Sequence, residues 1–266
     1  MMTESVVNPK HFVLVHGACH GAWSWYRVVP LLRAVGHRVT ALDMAASGIH
    51  PKLVEEIDSF SDYCEPLIEF MEALPLDEKV VLVGHSMGGL CISIAMEMFP
   101  QKIAVAIFVT AFMPSPHVDV NAIIEENNKH QGSFMDSEFS FKEEGQDKQP
   151  TSIVFGSKFL STTMYQLSPP EDLTLASMLA RPIRLYKDKD WLKERVLTTE
   201  NYGSVTRAYI VTEKDNILKE EFQKWMIESN PVDEVHIISG SDHMVMFSKP
   251  KELSSFLQEI AQNYYC

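Results

Sequence analysis

Gly84-His85-Ser86-Met87-Gly88 sets a serine between glycines in the pattern G-x-S-x-G. The chemistry open to such a serine is nucleophilic attack on an acyl carbon. Its surroundings make the pattern informative: Lys79 to Gly84 is an apolar run that reads as a strand, and Met87 to Met98 reads as a helix. At a sharp strand-to-helix turn the hydroxyl stands clear of the chain, and flanking glycines let strand and helix pass closely. The same glycines could serve close packing alone, but the strand-turn-helix setting favours the nucleophile.

A serine hydroxyl attacks poorly until a base takes its proton, so a histidine and an orienting acid must follow in the order Ser, Asp or Glu, His. Arg207 to Thr212 reads as a strand leading into Glu213-Lys214-Asp215, and Glu234 to Ser239 as one leading into Gly240-Ser241-Asp242-His243. Both loops leave carboxyl ends of strands, so Ser86, Asp215 and His243 are the expected catalytic set. Glu213 is the rival acid but lies closer to its strand. Asp242 adjoins His243, cannot easily bend back to its ring, and is read as a loop stabiliser. His16, His20 and His85 are read as structural or substrate-orienting. No His, Asp and Glu residues have metal-ligand spacing, so neither metal nor cofactor is expected.

The oxyanion formed on an attacked carbonyl needs backbone N–H donors. One follows the nucleophile, at Met87; the second is expected at Ala18, in the loop after the first strand, where His16-Gly17-Ala18 is similar to the HG-type motifs of esterases.

The elements that must hold these residues alternate. Strands are expected at His11 to His16 and His37 to Asp43, helices at Ser24 to Val35 (Ser24 as N-cap, Gly36 as stop) and Phe60 to Leu74, and another strand at Ile103 to Ala111. Helices are read again over Lys219 to Ser229 and Lys249 to about Tyr264. Continuous apolar strands alternating with helices give an α/β fold with a mostly parallel central sheet covered by helices. The pattern breaks after Met113-Pro114, and residues 114–193 read as a cap inserted over the sheet's carboxyl edge. Residues 1–113 and 194–266 form the core.

With 266 residues, 45% hydrophobic and 22% charged, the chain has the composition of one globular unit. A net charge of -13 opposes binding to nucleic acid or an anionic membrane surface. The first ten residues do not resemble a secretory signal, and the longest apolar run, Ile103 to Met113, is too short to span a bilayer. Four widely spaced cysteines without a CxxC pair point to a reducing cytoplasm. Nothing in the sequence opposes a homodimer.

HFVLVHGACHGAWSWY, HRVTALDMAASGI, DEKVVLVGHSMGG, AFMP, YQLSPPEDL, YGSVTRAYIV and SDHMVMF together resemble the plant methylesterase family, over nearly the whole chain. That family includes methyl salicylate, methyl jasmonate and methyl indole-acetate esterases and polyneuridine aldehyde esterase. The resemblance implies an α/β-hydrolase core with a cap, the triad Ser86, Asp215 and His243, and an oxyanion hole at Ala18 and Met87. The family also contains hydroxynitrile lyases and decarboxylating methylketone synthases. Such lyases carry threonine or asparagine where this chain has Gly17, and the best-known ones lysine where it has Met244; the ketone-forming relatives are altered at the nucleophile and acid. Hydrolysis is therefore favoured over a lyase reaction or a weakly active small-acid-binding protein. Phe112, Phe134, Phe139, Phe155 and Met244 are expected to line an apolar pocket for a small-molecule ester, of the salicylate, jasmonate, indole-acetate or alkaloid type.

Overall fold

The computed structural model describes residues 8–118, 120–129, 132–141, 149–186 and 196–265. The first half alternates as β1 (His11–Val15), α1 (Val28–Ala34), β2 (Arg38–Leu42), α2 (Phe60–Ala73), β3 (Val80–Ser86), α3 (Gly88–Met98) and β4 (Ile103–Ala111). An insertion follows: α4 (Val120–Asn128), β5 (Glu138–Phe141), β6 (Pro150–Val154), α5 (Ser157–Phe159) with a π-turn at Leu160–Met164, α6 (Pro170–Leu179) and β7 (Ile183–Arg184). The chain then returns through β8 (Arg207–Thr212), α7 (Glu220–Ser229), β9 (Glu234–Ile238), α8 (Val245–Ser248) and α9 (Pro250–Tyr264).

Six strands pair in the order β2-β1-β3-β4-β8-β9, every pairing parallel. Because successive strand side chains point to opposite faces, each central strand feeds two apolar layers. Val13, Leu82 and Phe108 join Leu67 and Met71 of α2 and Leu90 of α3 on one face. Phe12, Val83 and Ile107 join Leu32 of α1 and Leu257 and Ile260 of α9 on the other. Such two-sided burial explains why β1 and β3 lack polar alternation.

The helix expected over Ser24 to Val35 is broken in two. Ala22–Trp25 forms a 3-10 turn, in which Ser24 Oγ donates to the Gly21 carbonyl, and α1 begins only at Val28. Pro30 gives the reason: it lacks an N–H, and so is accommodated in a helix's first turn. Gly36, at φ 93°, does end the segment. Helix α2 is bounded at both ends. Ser59 and Asp62 form a reciprocal capping box, and Lys102 Nζ, only 4% exposed, donates to the carbonyls of Met71, Glu72 and Leu74.

In the insertion, β5, β6 and β7 make a small antiparallel sheet. Polar anchors tie the insertion to the core. Fully buried Asp172 accepts from Arg27 Nε and Tyr26 Oη, and the Arg181 guanidinium donates to the carbonyls of Gly48, His50 and Lys52. The expected end of the insertion, residue 193, lies outside the described residues. No helix among the described residues is long and apolar enough to cross a membrane.

Candidate active site

Strand β3 ends on Ser86 itself, and Ser86 adopts φ 54°, a left-handed conformation that side-chain-bearing residues rarely take. Its neighbours leave no room for anything larger than glycine. A Cβ on Gly84 would stand 2.8 Å from the Gly88 carbonyl oxygen, and one on Gly88 would stand 2.7 Å from that of His16. The turn is held from the next strand by the Phe112 N–H, which donates to the Ser86 carbonyl at 3.1 Å.

Three loops at the carboxyl ends of β3, β8 and β9 bring Ser86, Asp215 and His243 into one hydrogen-bonded line. His243 Nε2 lies 3.0 Å from Ser86 Oγ, and His243 Nδ1 lies 2.7 Å from Asp215 Oδ2. With Nδ1–H donating to the carboxylate, Nε2 is the acceptor facing the serine hydroxyl. Asp215 is fixed by more than the histidine: Thr110 and Thr212 hydroxyls donate to Oδ2, and the N–H groups of Ile217 and Leu218 donate to Oδ1. All three residues are buried, at 6% exposure or less.

Glu213, the rival acid, turns away. It accepts from the Gly240 N–H and pairs with Lys214, and that backbone donor first, then the lysine, holds its carboxyl below the usual range. Asp242 is fully buried and bridges two segments, accepting from the Met244 N–H with Oδ1 and from Leu167 N–H and Ser168 Oγ of the insertion with Oδ2. Burial pushes its carboxyl above the ordinary range.

The other histidines shape the loops. His16 donates through Nδ1 to the Gly17 carbonyl and accepts the Met44 N–H at Nε2. His20 Nδ1 bonds the Ala18 carbonyl and Nε2 the Tyr165 hydroxyl; burial holds its pKa down at about 4. His85 Nε2 donates to the His243 carbonyl at 2.8 Å, and burial followed by the nearby His243 keeps it neutral, well below the imidazole range. His85 thereby braces the loop that carries His243.

A cavity of about 180 Å³ opens on Ser86 and His243. Gly17, Ala18, Met87 and Phe112 border it from the core, and Phe134, Phe155, Phe159 and Met164 from the insertion. A wider open groove of about 790 Å³ runs along Gln166, Lys214 and Glu221, but of the three hydrogen-bonded residues it touches Asp215 alone. The smaller cavity is the one that reaches the serine. Of the residues expected to line an apolar pocket, Phe112, Phe134 and Phe155 do so. Phe139 does not: it sits on β5, 37% exposed, with its ring against Phe134. Nor does Met244, which is fully buried with Val245, Met246 and Phe247 in the apolar layer on the α1 and α9 side.

Sequence spacing missed several contributors. Thr110 is one, and its signal is its place at the carboxyl end of β4. Ile217 is another, an apolar residue in a loop that only the fold brings to the cavity. Ligand atoms of Glu234, His236 and Glu259 also gather within 4.8 Å, a cluster invisible in the spacing. It lies on edge strand β9 and helix α9, where His236 Nε2 bonds Glu234 and the ring packs at a tilt against Phe256.

The alpha/beta hydrolase family model matches residues 12–256. Methyl jasmonate esterase 1 of Vitis vinifera is 55% identical over 256 residues, covering 96% of this chain and 98% of that protein. Salicylic acid-binding protein 2 of Nicotiana tabacum is 48% identical, with coverages of 96% and 98%. Among solved structures, tomato methylketone synthase I complexed with 2-tridecanone superposes with a TM-score of 0.92 at 50% identity, covering 96% of this chain and 99% of that one. The chain belongs to the alpha/beta hydrolase family and, within it, to the plant methylesterases.

Proposed function

We propose that this chain is a serine carboxylesterase that hydrolyses methyl esters of small apolar acids. The observation that carries the reading is the unbroken Asp215, His243, Ser86 hydrogen-bonded line opening on an apolar cavity. In this reading Ser86 Oγ attacks the ester carbonyl while His243 Nε2 takes its proton, and Asp215 holds the imidazole in the tautomer that can accept it. The N–H groups of Ala18 and Met87, which border the cavity beside Ser86, receive the oxyanion. His243 then returns the proton to departing methanol, and a water deacylates the serine by the reverse path.

The acyl side is read from the walls. Phe112, Phe134 and Phe155 offer aromatic surface, which suits an uncharged cyclic or aromatic acid. Methyl as the alcohol and jasmonate-like or salicylate-like acids are supported by the relatives named above. Retention of Ser86 and Asp215, with Gly17 and Met244 in place of a lyase's threonine and lysine, supports hydrolysis. In the same reading residues 114–193 act as a cap that selects the acyl group, and the buried free thiols Cys19, Cys64 and Cys91 fit a reducing cytoplasm.

A panel of methyl esters incubated with the purified protein in oxygen-18 water tests the proposal. Release of labelled free acid, abolished by a fluorophosphonate on Ser86, is the expected result. Turnover that survives labelling of Ser86 would remove the mechanism.

A further inference from the structure

Helix α4 of the insertion presents a periodic inward face at Val120, Ile123 and Asn127, spaced three and four residues apart and 3%, 1% and 5% exposed. The third of these is an amide where the pattern calls for an apolar side chain. The two other amide residues that are buried among the described residues are bonded. Asn230 donates to the Pro114 carbonyl and the Tyr202 hydroxyl, and Gln223 bonds the backbone of Thr212 and Leu218. Among the described residues, nothing bonds the side-chain amide of Asn127, and Asn127 borders the cavity that holds Ser86. Arg184 also borders this cavity, but its Nη1 donates to the Ile57 carbonyl.

The Asn127 amide is left facing the cavity without a protein partner, and the aromatic walls at Phe134 and Phe155 offer it none. A ligand carrying its own polar atom there can take up the bond. We propose that Asn127 is a specificity-determining residue that hydrogen-bonds a neutral oxygen, a ketone or hydroxyl, borne on the acyl group away from the ester. The amide offers both an N–H donor and a carbonyl acceptor, so either oxygen can be met. The inference rests on the esterase reading of the site and narrows its substrate class to oxygenated apolar acids.

The test uses two esters of one skeleton, methyl (3-oxocyclopentyl)acetate and methyl cyclopentylacetate. The wild-type chain should favour the oxo ester in kcat/KM by about tenfold or more, and Asn127→Leu should bring the ratio close to one. Calorimetry on the wild-type protein supplies a measurement independent of that variant's folding: 3-oxocyclopentylacetic acid should bind about tenfold more tightly than cyclopentylacetic acid. An unchanged ratio in Asn127→Leu, or equal affinities of the two acids, overturns the proposal. Efficient cleavage of both esters without preference overturns it while upholding the esterase. Tighter binding of the oxo acid with no cleavage of either ester does the reverse.

Discussion

The carboxyl edge of the large sheet and the insertion above it are built on different terms. At the sheet edge, Ser86, Asp215 and His243 sit on loops between fully paired parallel strands, and Asp215 alone receives five hydrogen bonds. In the insertion, β7 has two residues and β5 four, all four exposed, and the cavity wall is assembled from the side chains of Phe134, Phe155 and Phe159 packed on one another. Geometry that must be held within fractions of an ångström is placed where hydrogen bonds are dense. In the proposed reading, selectivity falls to side chains that can be exchanged without disturbing a ladder.

The largest effect that should separate the two regions is at the nucleophile. Ser86→Ala should lower ester hydrolysis by on the order of a million-fold, with an unchanged circular dichroism spectrum. Retained turnover would show that the sheet edge is not where the chemistry happens. Next is Asp215→Asn, which presents an amide N–H where a carboxylate must accept from His243 Nδ1. A fall in kcat of about ten-thousand-fold is expected. A mild effect there with a severe one for Glu213→Gln would move the acid to a residue whose carboxylate accepts from the Gly240 N–H and pairs with Lys214.

Changes in the insertion should be smaller and should differ from wall to outer face. Phe155→Ala should alter kcat/KM by about tenfold and change the ranking of esters, whereas Phe139→Ala should leave the ranking as it is. Equal effects of the two would mean that the outer sheet, too, touches substrate.

The smallest expected effect concerns the seam between the regions. His20, bonded to Ala18 of the core and Tyr165 of the insertion, has a folded pKa of about 4 against 6.5 for a free imidazole. Between those values the unfolded chain binds the proton and the folded one does not, so stability is present above pH 6.5 and is lost as the pH falls toward 4. The unfolding free energy, measured by denaturant titration across that range, should slope by up to about 1.4 kcal/mol per pH unit for this group. His20→Gln should flatten the slope, and an unaltered slope would remove His20 from the seam's acid sensitivity.

The sheet edge was the more legible region. Strands buried on both faces write themselves as unbroken apolar runs, and a nucleophile, acid and base in fixed chain order at three strand ends need no knowledge of the rest. The break between the 3-10 turn and α1 was not read from the sequence, although Pro30 explains it once the turn is seen. The insertion was poorly legible for physical reasons. Phe139 was expected to line the pocket, yet it sits on a four-residue strand of a three-stranded sheet whose face the described residues leave exposed. Met244 follows the base directly, but the chain turns there into α8 and carries the side chain into the lower layer. Asn127 was hidden for the opposite reason, as a polar residue in a helix whose inward face only the structure defines.

The backbone of Ser86 has a consequence for the protein's history as well as its mechanism. A left-handed φ on a side-chain-bearing residue costs about 1 kcal/mol that glycine would not incur. Ser86→Gly should therefore melt higher than Ser86→Ala, although both lack the nucleophile. With Ser86 as the proposed nucleophile, mutation toward greater robustness at this position would lead directly to an inert protein, and the serine would persist only as long as selection on turnover outweighs drift toward stability.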